Sequence, residues 1–260
     1  MTATMTASEI GLASDETATR RPGLARLTRV ELRKSRDTRA GLWLLILIAA
    51  ATVGIELIVL FTGDKSDLTF DNFFGVALVV QAMLIPVLGI LLVTSEWSQR
   101  TALVTFALVP RRSRIVVAKL GAALCLAVAS TIVALGVGAL MTAIGGTDSR
   151  WDLSIGGFGE YGLLNIIAVV QGVAFGMLLL NSAAAIVAYF IIPTVWTILF
   201  DNWHALAKAK DWVDLNSAMS PVGDHHMTGA DWGHLAVAVT IWIVIPLALG
   251  VRRLLRAELK

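Results

Sequence analysis

GLWLLILIAAATVGIELIVLF, residues 41–61, holds a single charged side chain, Glu56, in 21 positions. At about 1.5 Å rise per residue such a run is about 30 Å long as a helix, the thickness of a bilayer's hydrocarbon core. Five more runs of similar character follow, at 73–94, 116–144, 161–180, 183–200 and 233–250. The fourth and fifth are separated by little more than Asn181 and Ser182, which predicts a tight helical hairpin. The whole chain agrees with this reading: 260 residues, 57% hydrophobic and only 15% charged, with a mean hydropathy of +0.76. An ordinary soluble domain carries roughly 25% charge. The sequence therefore predicts an all-α, polytopic membrane protein with six transmembrane helices over 41–250, and leaves too little chain for a soluble catalytic domain. The one cysteine, Cys125, lies in an apolar run, so an intrachain disulfide and a cysteine-based metal site are both excluded.

Outside the spans the chain changes character. Residues 1–21 are rich in Thr, Ala and Ser, lack the apolar core of a signal peptide, and read as a disordered cytosolic tail. Over 22–40, at 100° per residue, Arg26, Arg29, Arg33 and Arg36 share one face while Leu24, Leu27 and Val30 fall on another. That pattern predicts an amphipathic helix in the headgroup plane, its arginines toward anionic lipid. Residues 251–260 form a basic tail.

The basic residues sort by segment. The N-terminal segment, the 95–119 segment and the C-terminal tail together hold 17 of the 21 Lys and Arg, and the alternate loops hold Lys65, Arg150, Lys208 and Lys210. Acidic residues run the other way, with 11 in the alternate loops against 7 in the basic segments. Because Lys and Arg are retained on the cytosolic side, this predicts cytosolic N- and C-termini, which an even number of spans requires. Trp43 and Trp97 fit the inner interface, and Trp151, Trp203 and Trp232 the outer one.

The segment between the second and third spans is SEWSQRTALVTFALVPRRSRIVVAKL, residues 95–120. Its apolar stretch from Thr101 to Val109 makes a helix only about 13 Å long, too short to cross a bilayer. Arginines hold it at the surface, so Leu103, Phe106 and Leu108 need a cover, either a protein groove or the membrane interface.

Glu96-Trp97, Thr101, Pro110-Arg111, Arg114 and Lys119-Leu120, in that order and spacing, resemble the cytosolic loop of ABC-2 type transporter permeases. Six spans behind a basic amphipathic helix (ELRKSRDTR, residues 31–39) and an outer segment between the fifth and sixth spans resemble that family's layout, over about residues 24–256. Arg100 stands where the family often has Gly. The resemblance implies a permease that moves an amphipathic, lipid-like or drug-like compound across a bacterial plasma membrane. ATP would be hydrolysed by a separate ABC ATPase subunit, gripped through Glu96, Arg100, Thr101, Leu103, Phe106, Pro110, Arg111 and Arg114, and a second permease copy or a related permease would complete a dimer. The sequence has no G-x-x-x-x-G-K-[ST] motif, so it carries no P-loop of its own. No cofactor, metal or nucleic acid is expected, and no enzymatic activity in this chain.

Within the spans, Glu56 is the one fully charged residue at depth, where a charge costs about 3 kcal/mol or more unless it meets a cavity or a partner. Gln81, Asn165 and Gln171 join it as candidates for a substrate path, with interhelical hydrogen bonding as the plainer reading of each. Gly172 and Gly176 make a G-x-x-x-G suited to close helix packing, and Pro86, Pro193 and Pro246 are expected to kink their helices. In the outer segment 201–232, Trp203, Leu206, Trp212, Val213 and Leu215 form a partly apolar set suited to dipping into the outer leaflet. His204, His225, His226 and His234 match no metal-ligand spacing. An intramembrane enzyme lacks both nucleophile and base here. The alternative to a permease is a membrane anchor or sensor that recruits a cytosolic partner through residues 95–119.

Overall fold

A computed structural model describes residues 23–98, 111–145, 151, 155–203, 209–224 and 226–256. All regular structure among these residues is helical: α1 (Leu24–Asp37), α2 (Arg39–Thr62), α3 (Phe70–Ser98), α4 (Arg112–Gly145), α5 (Ile155–Leu179), α6 (Ser182–Asn202), α7 (Lys210–Val213), α8 (Leu215–Gly223), α9 (Gly229–Val239), a π turn (Thr240–Val244) and α10 (Ile245–Arg256). Six helices are long and apolar enough to cross a membrane, the last being the continuous helix Gly229–Arg256. The chain is thus a multi-pass membrane protein by length and composition. Each predicted span falls within its helix except at Leu180, which lies past the end of α5 in the left-handed region at φ 53°.

α3 and α5 form the centre. Over half of each span is buried, 56% and 61%, against 17% for α2 and 11% for α6. Helices apolar on every side and so little covered need an apolar surround. α3 and α5 approach closely because Gly172 faces the backbone of Pro86 and Gly176 that of Ile90. The G-x-x-x-G pair thus serves packing inside the chain. Threonines inside the spans satisfy their hydroxyls locally, as Thr52 donates to the Ile48 carbonyl at 2.8 Å, Thr94 to Ile90 at 2.9 Å and Thr142 to Gly138 at 2.8 Å.

The connections have identifiable stops. Thr38 is extended and ends α1, and its Oγ1 accepts from Gly41 N at 3.2 Å to cap α2. A Cβ on Gly41 would collide with the Ser35 carbonyl, so only glycine permits that corner. Between α5 and α6 the linking residues are Leu180 and Asn181 rather than Asn181 and Ser182. Asn181 caps α6 by accepting from Ala184 N at 3.0 Å. Ser182 instead opens α6 and bonds Thr94 of α3 at 2.7 Å. α9 begins with a capping box between Thr228 and Asp231. α3 and α6 run through Pro86 and Pro193 without a break. Pro246 has no N–H for the Trp242 carbonyl, and the chain answers with the π turn just before it, where Ile245 N bonds Thr240 O instead.

Candidate functional site

Two places concentrate polar chemistry, one at each end of the bundle. The first gathers α1, the last turns of α3, the first turns of α4 and the end of α10. The buried face of α1 holds Glu31 and Ser35, while Arg26, Arg29, Arg33 and Arg36 are all exposed on the other side. The apolar set read from the sequence is divided, because Leu24 and Val30 are exposed and Leu32 packs on the core in their place. Glu31 is flanked by Lys34 on its own helix, with Nζ to Oε1 at 2.8 Å. Lys34 also donates to Glu96 of α3 at 2.6 Å. Lys119, on the first buried turns of α4, donates to Glu31 at 2.7 Å and to the Leu92 carbonyl at 2.8 Å, and stands 3.3 Å from Glu96 Oε2. Two acids and two bases thus alternate around a ring that joins three helices. Lys119 is 1% exposed, Glu31 4% and Glu96 5%. Burial pulls the Lys34 ammonium down, but the Glu31 and Glu96 carboxylates outweigh it and hold Lys34 above its ordinary value.

The same end is tied by arginines to helix C-termini. Arg112 Nη1 reaches the Leu254 and Leu255 carbonyls of α10, each at 3.3 Å, and Arg253 Nη1 reaches Leu178 of α5 at 2.6 Å. These are the unpaired carbonyls a helix end presents. Among the expected partner-binding residues, Glu96 sits in the ring, Arg111 is exposed just before α4, and Arg114 is half-buried on its first turn. Arg100, Thr101, Leu103, Phe106 and Pro110 lie outside the described residues. The ring therefore joins α1 to both flanks of the segment 99–110.

The second place is a cleft of about 810 Å³ between α3, α5, α6 and α8 at the opposite end. α8 is held over it by Asp214, a 1% exposed acid that caps α8 and accepts from Asn216 N at 3.3 Å, Ser217 Oγ at 2.9 Å and Thr197 Oγ1 at 3.1 Å. Trp242 Nε1 donates to the Val213 carbonyl at 2.6 Å and fixes the preceding turn. Leu215 is 2% exposed and packs with Ala218 and Val222 into the bundle, so it turns inward and does not dip into a leaflet. Trp203 and Trp212 are exposed, and Trp212 lies edge-on to His234 at 4.4 Å. Leu206 lies outside the described residues.

The substrate-path candidates divide. Asn165 and Gln171 line the cleft. Asn165 Nδ2 is fixed by α4, at 2.7 Å from Ser130 Oγ, 3.0 Å from Thr131 Oγ1 and 3.1 Å from the Ala127 carbonyl. Glu56 and Gln81 are buried on α2 and α3 outside the lining, and neither side chain has a hydrogen-bond partner among the described residues. The sequence reading singles out neither Glu31 nor Lys34 within the basic stretch 31–39, and takes Lys119 only as part of the Lys119-Leu120 pair in the family resemblance, so it misses the ring. The available signal was the acid inside an otherwise basic stripe and the lysine inside an apolar helix. No group of three or more metal-ligating side chains exists among the described residues. The chain matches no protein-family model and no curated protein.

Proposed function

We propose that the chain is the membrane-spanning permease subunit of an ABC-2 type transporter, exporting an amphipathic compound with ATP hydrolysed by a separate subunit. In this reading the ring end faces the cytosol of a bacterial plasma membrane. The exposed arginines of α1 meet anionic headgroups, and a second permease completes the assembly. The observation that supports it best is the Glu31–Lys34–Glu96–Lys119 ring. A push on the segment 99–110 by an ATPase would not be absorbed by loose loop ends. It would pass at once into α1, α3 and α4, and α3 is a wall of the cleft at the far end.

The test is purification of the tagged chain in mild detergent from its native membrane, with the eluate assayed for ATP hydrolysis. An ATPase is expected to co-purify, and Phe106→Asp, which puts a charge on the apolar face of 101–109, is expected to reduce its recovery at least tenfold while the permease still inserts. A chain that elutes alone, or with a partner that hydrolyses no ATP, overturns the proposal in favour of an anchor or sensor.

A further inference from the structure

Glu56 is the one acid on α2, and the bundle closes around it. α2 buries a single stripe, Gly41, Ile48, Thr52 and Glu56, and leaves most of the rest of its surface uncovered. Glu56 is 0% exposed, and both carboxyl oxygens are sealed from water without a hydrogen-bond partner among the described residues. The Thr52 hydroxyl, one turn away, is spent on the Ile48 carbonyl. Gln81 of α3 is buried with both amide atoms unpartnered as well, so it does not serve Glu56. The helices packed on α2 are α1, α3 and α4, and their titratable groups stand toward helix ends. α1 brings Glu31, Lys34, Asp37 and its arginines to the ring end. α3 carries Asp71 and Glu96 at its two ends, and α4 carries Arg112, Arg114, Lys119 and the exposed Cys125 in its first half. Asp71, the nearest of these in height, bonds the Tyr161 hydroxyl of α5. None of them pairs with Glu56 among the described residues. An ionised carboxylate so placed has lost its hydration and gained no counter-charge, which a folded chain avoids by leaving the proton on the acid.

Apolar contacts shut the acid in along α2 from both directions. Toward Thr62, Val59 and Leu60 pack on Leu68, Phe73 and Met141, with Gly145 against Leu60. Toward Arg39, Ile48 belongs to the central core, and Leu44 and Leu45 pack on it. The two ways out are unequal, because Glu56 is about 9 Å from the Thr62 end of the helix and about 25 Å from the Arg39 end. We propose that Glu56 is a proton-binding site, held as the neutral acid in the packed bundle and exchanging its proton with water at the Thr62 end when the contact of Val59 and Leu60 with Leu68, Phe73 and Met141 parts. On opening, the carboxyl O–H bond breaks and the proton passes to water, leaving a carboxylate that the water now solvates; on closing, the same proton returns before the oxygens are covered. The site goes beyond the permease reading and does not depend on it.

The experiment is infrared spectroscopy of the full chain at pH 7 in a maltoside detergent, which has no ester carbonyl to mask the signal. An ordinary glutamate, with a pKa of roughly 4.3, is ionised there. The parent is expected to show the carbonyl stretch of one neutral carboxylic acid without a hydrogen-bond partner, and Glu56→Gln to remove it. Transfer to D2O shifts that band as O–H becomes O–D, so its rate reads the opening. Leu60→Ala is expected to speed the shift at least tenfold, and Leu45→Ala, the same trimming toward the other end of α2, to leave it unchanged. Should Glu56→Gln fail to purify as a single species, Glu56→Met supplies the missing band, and Val59→Ala stands in for Leu60→Ala on the same terms. A parent spectrum without a band that these Glu56 variants remove overturns the proposal, as does exchange in the parent too fast to follow, or equal acceleration by Leu45→Ala. Because neither ATPase nor transport enters the measurement, such a failure leaves the permease reading untouched, and a chain that purifies without an ATPase leaves the proton site standing.

Discussion

Lys119→Met is expected to lower the stability of the bundle by about 3 kcal/mol, near the low end of what breaking a buried ion pair costs. The ammonium is 1% exposed and serves Glu31, Glu96 and the Leu92 carbonyl together. Without it two buried carboxylates face each other with only Lys34 between them, and a backbone acceptor loses its donor. Methionine fills the volume, so the effect reads charge and not a cavity. Lys34→Met should cost much less, because that side chain is 37% exposed and water screens what remains. Combining Lys119→Met with Glu31→Gln leaves Lys34 matched to Glu96 and should recover part of the loss. The measurement is the fraction of protein that stays monodisperse in detergent after heating. A Lys119→Met protein that survives heating like the parent would show that the ring contributes nothing to holding α1, α3 and α4 together.

Gly172→Val should be as harmful for a different reason. A Cβ at residue 172 overlaps the Pro86 carbonyl oxygen and sits 2.9 Å from the Pro86 Cα, with backbone on both sides and no flexible side chain able to yield. The two most buried helices, α3 and α5, would have to separate. Overpacking of this kind costs about 1–3 kcal/mol where side chains can give, and the upper figure is expected here. Gly136→Val, on α4, has nothing within 4 Å of its Cβ and is the matched control. Limited proteolysis and heating in detergent should find the first variant labile and the second indistinguishable from the parent. Equal behaviour of the two would mean that α3 and α5 are not packed as described.

The six spans were legible because a membrane demands some twenty consecutive apolar residues, a signal no soluble helix imitates. Their ends were less so. α4 begins at Arg112 rather than four residues later because its guanidinium caps the end of α10, a contact between residues 142 apart in sequence. Burial within the membrane was the harder matter. α2 and α3 look equally apolar in sequence, yet one is largely uncovered and the other central, a difference set by which helix neighbours which.

The candidate site was half legible for the same reason. Asn165, Gln171, Gln81 and Glu56 were selected alike for being polar inside spans, but only the first two reach the cleft. Facing direction depends on tertiary packing, which composition does not carry. The cleft's acids belong to loops and helix ends where Asp is common, so Asp71 and Asp224 gave no separate signal. The ring was hidden differently. Glu31 and Lys34 look like an ordinary i,i+3 surface pair, and only the approach of α4 to α1, with Gly121 opposite Thr28, buries Glu31.

The central claim is that the segment between α3 and α4 is seated in an ATPase. Replacing Leu103 by a photoreactive amino acid and irradiating the intact native membrane tests it where no detergent has disturbed the assembly. The account predicts one dominant cross-linked product, whose partner carries a P-loop. Cross-links only to lipid, to this chain, or to a protein without a P-loop would contradict it.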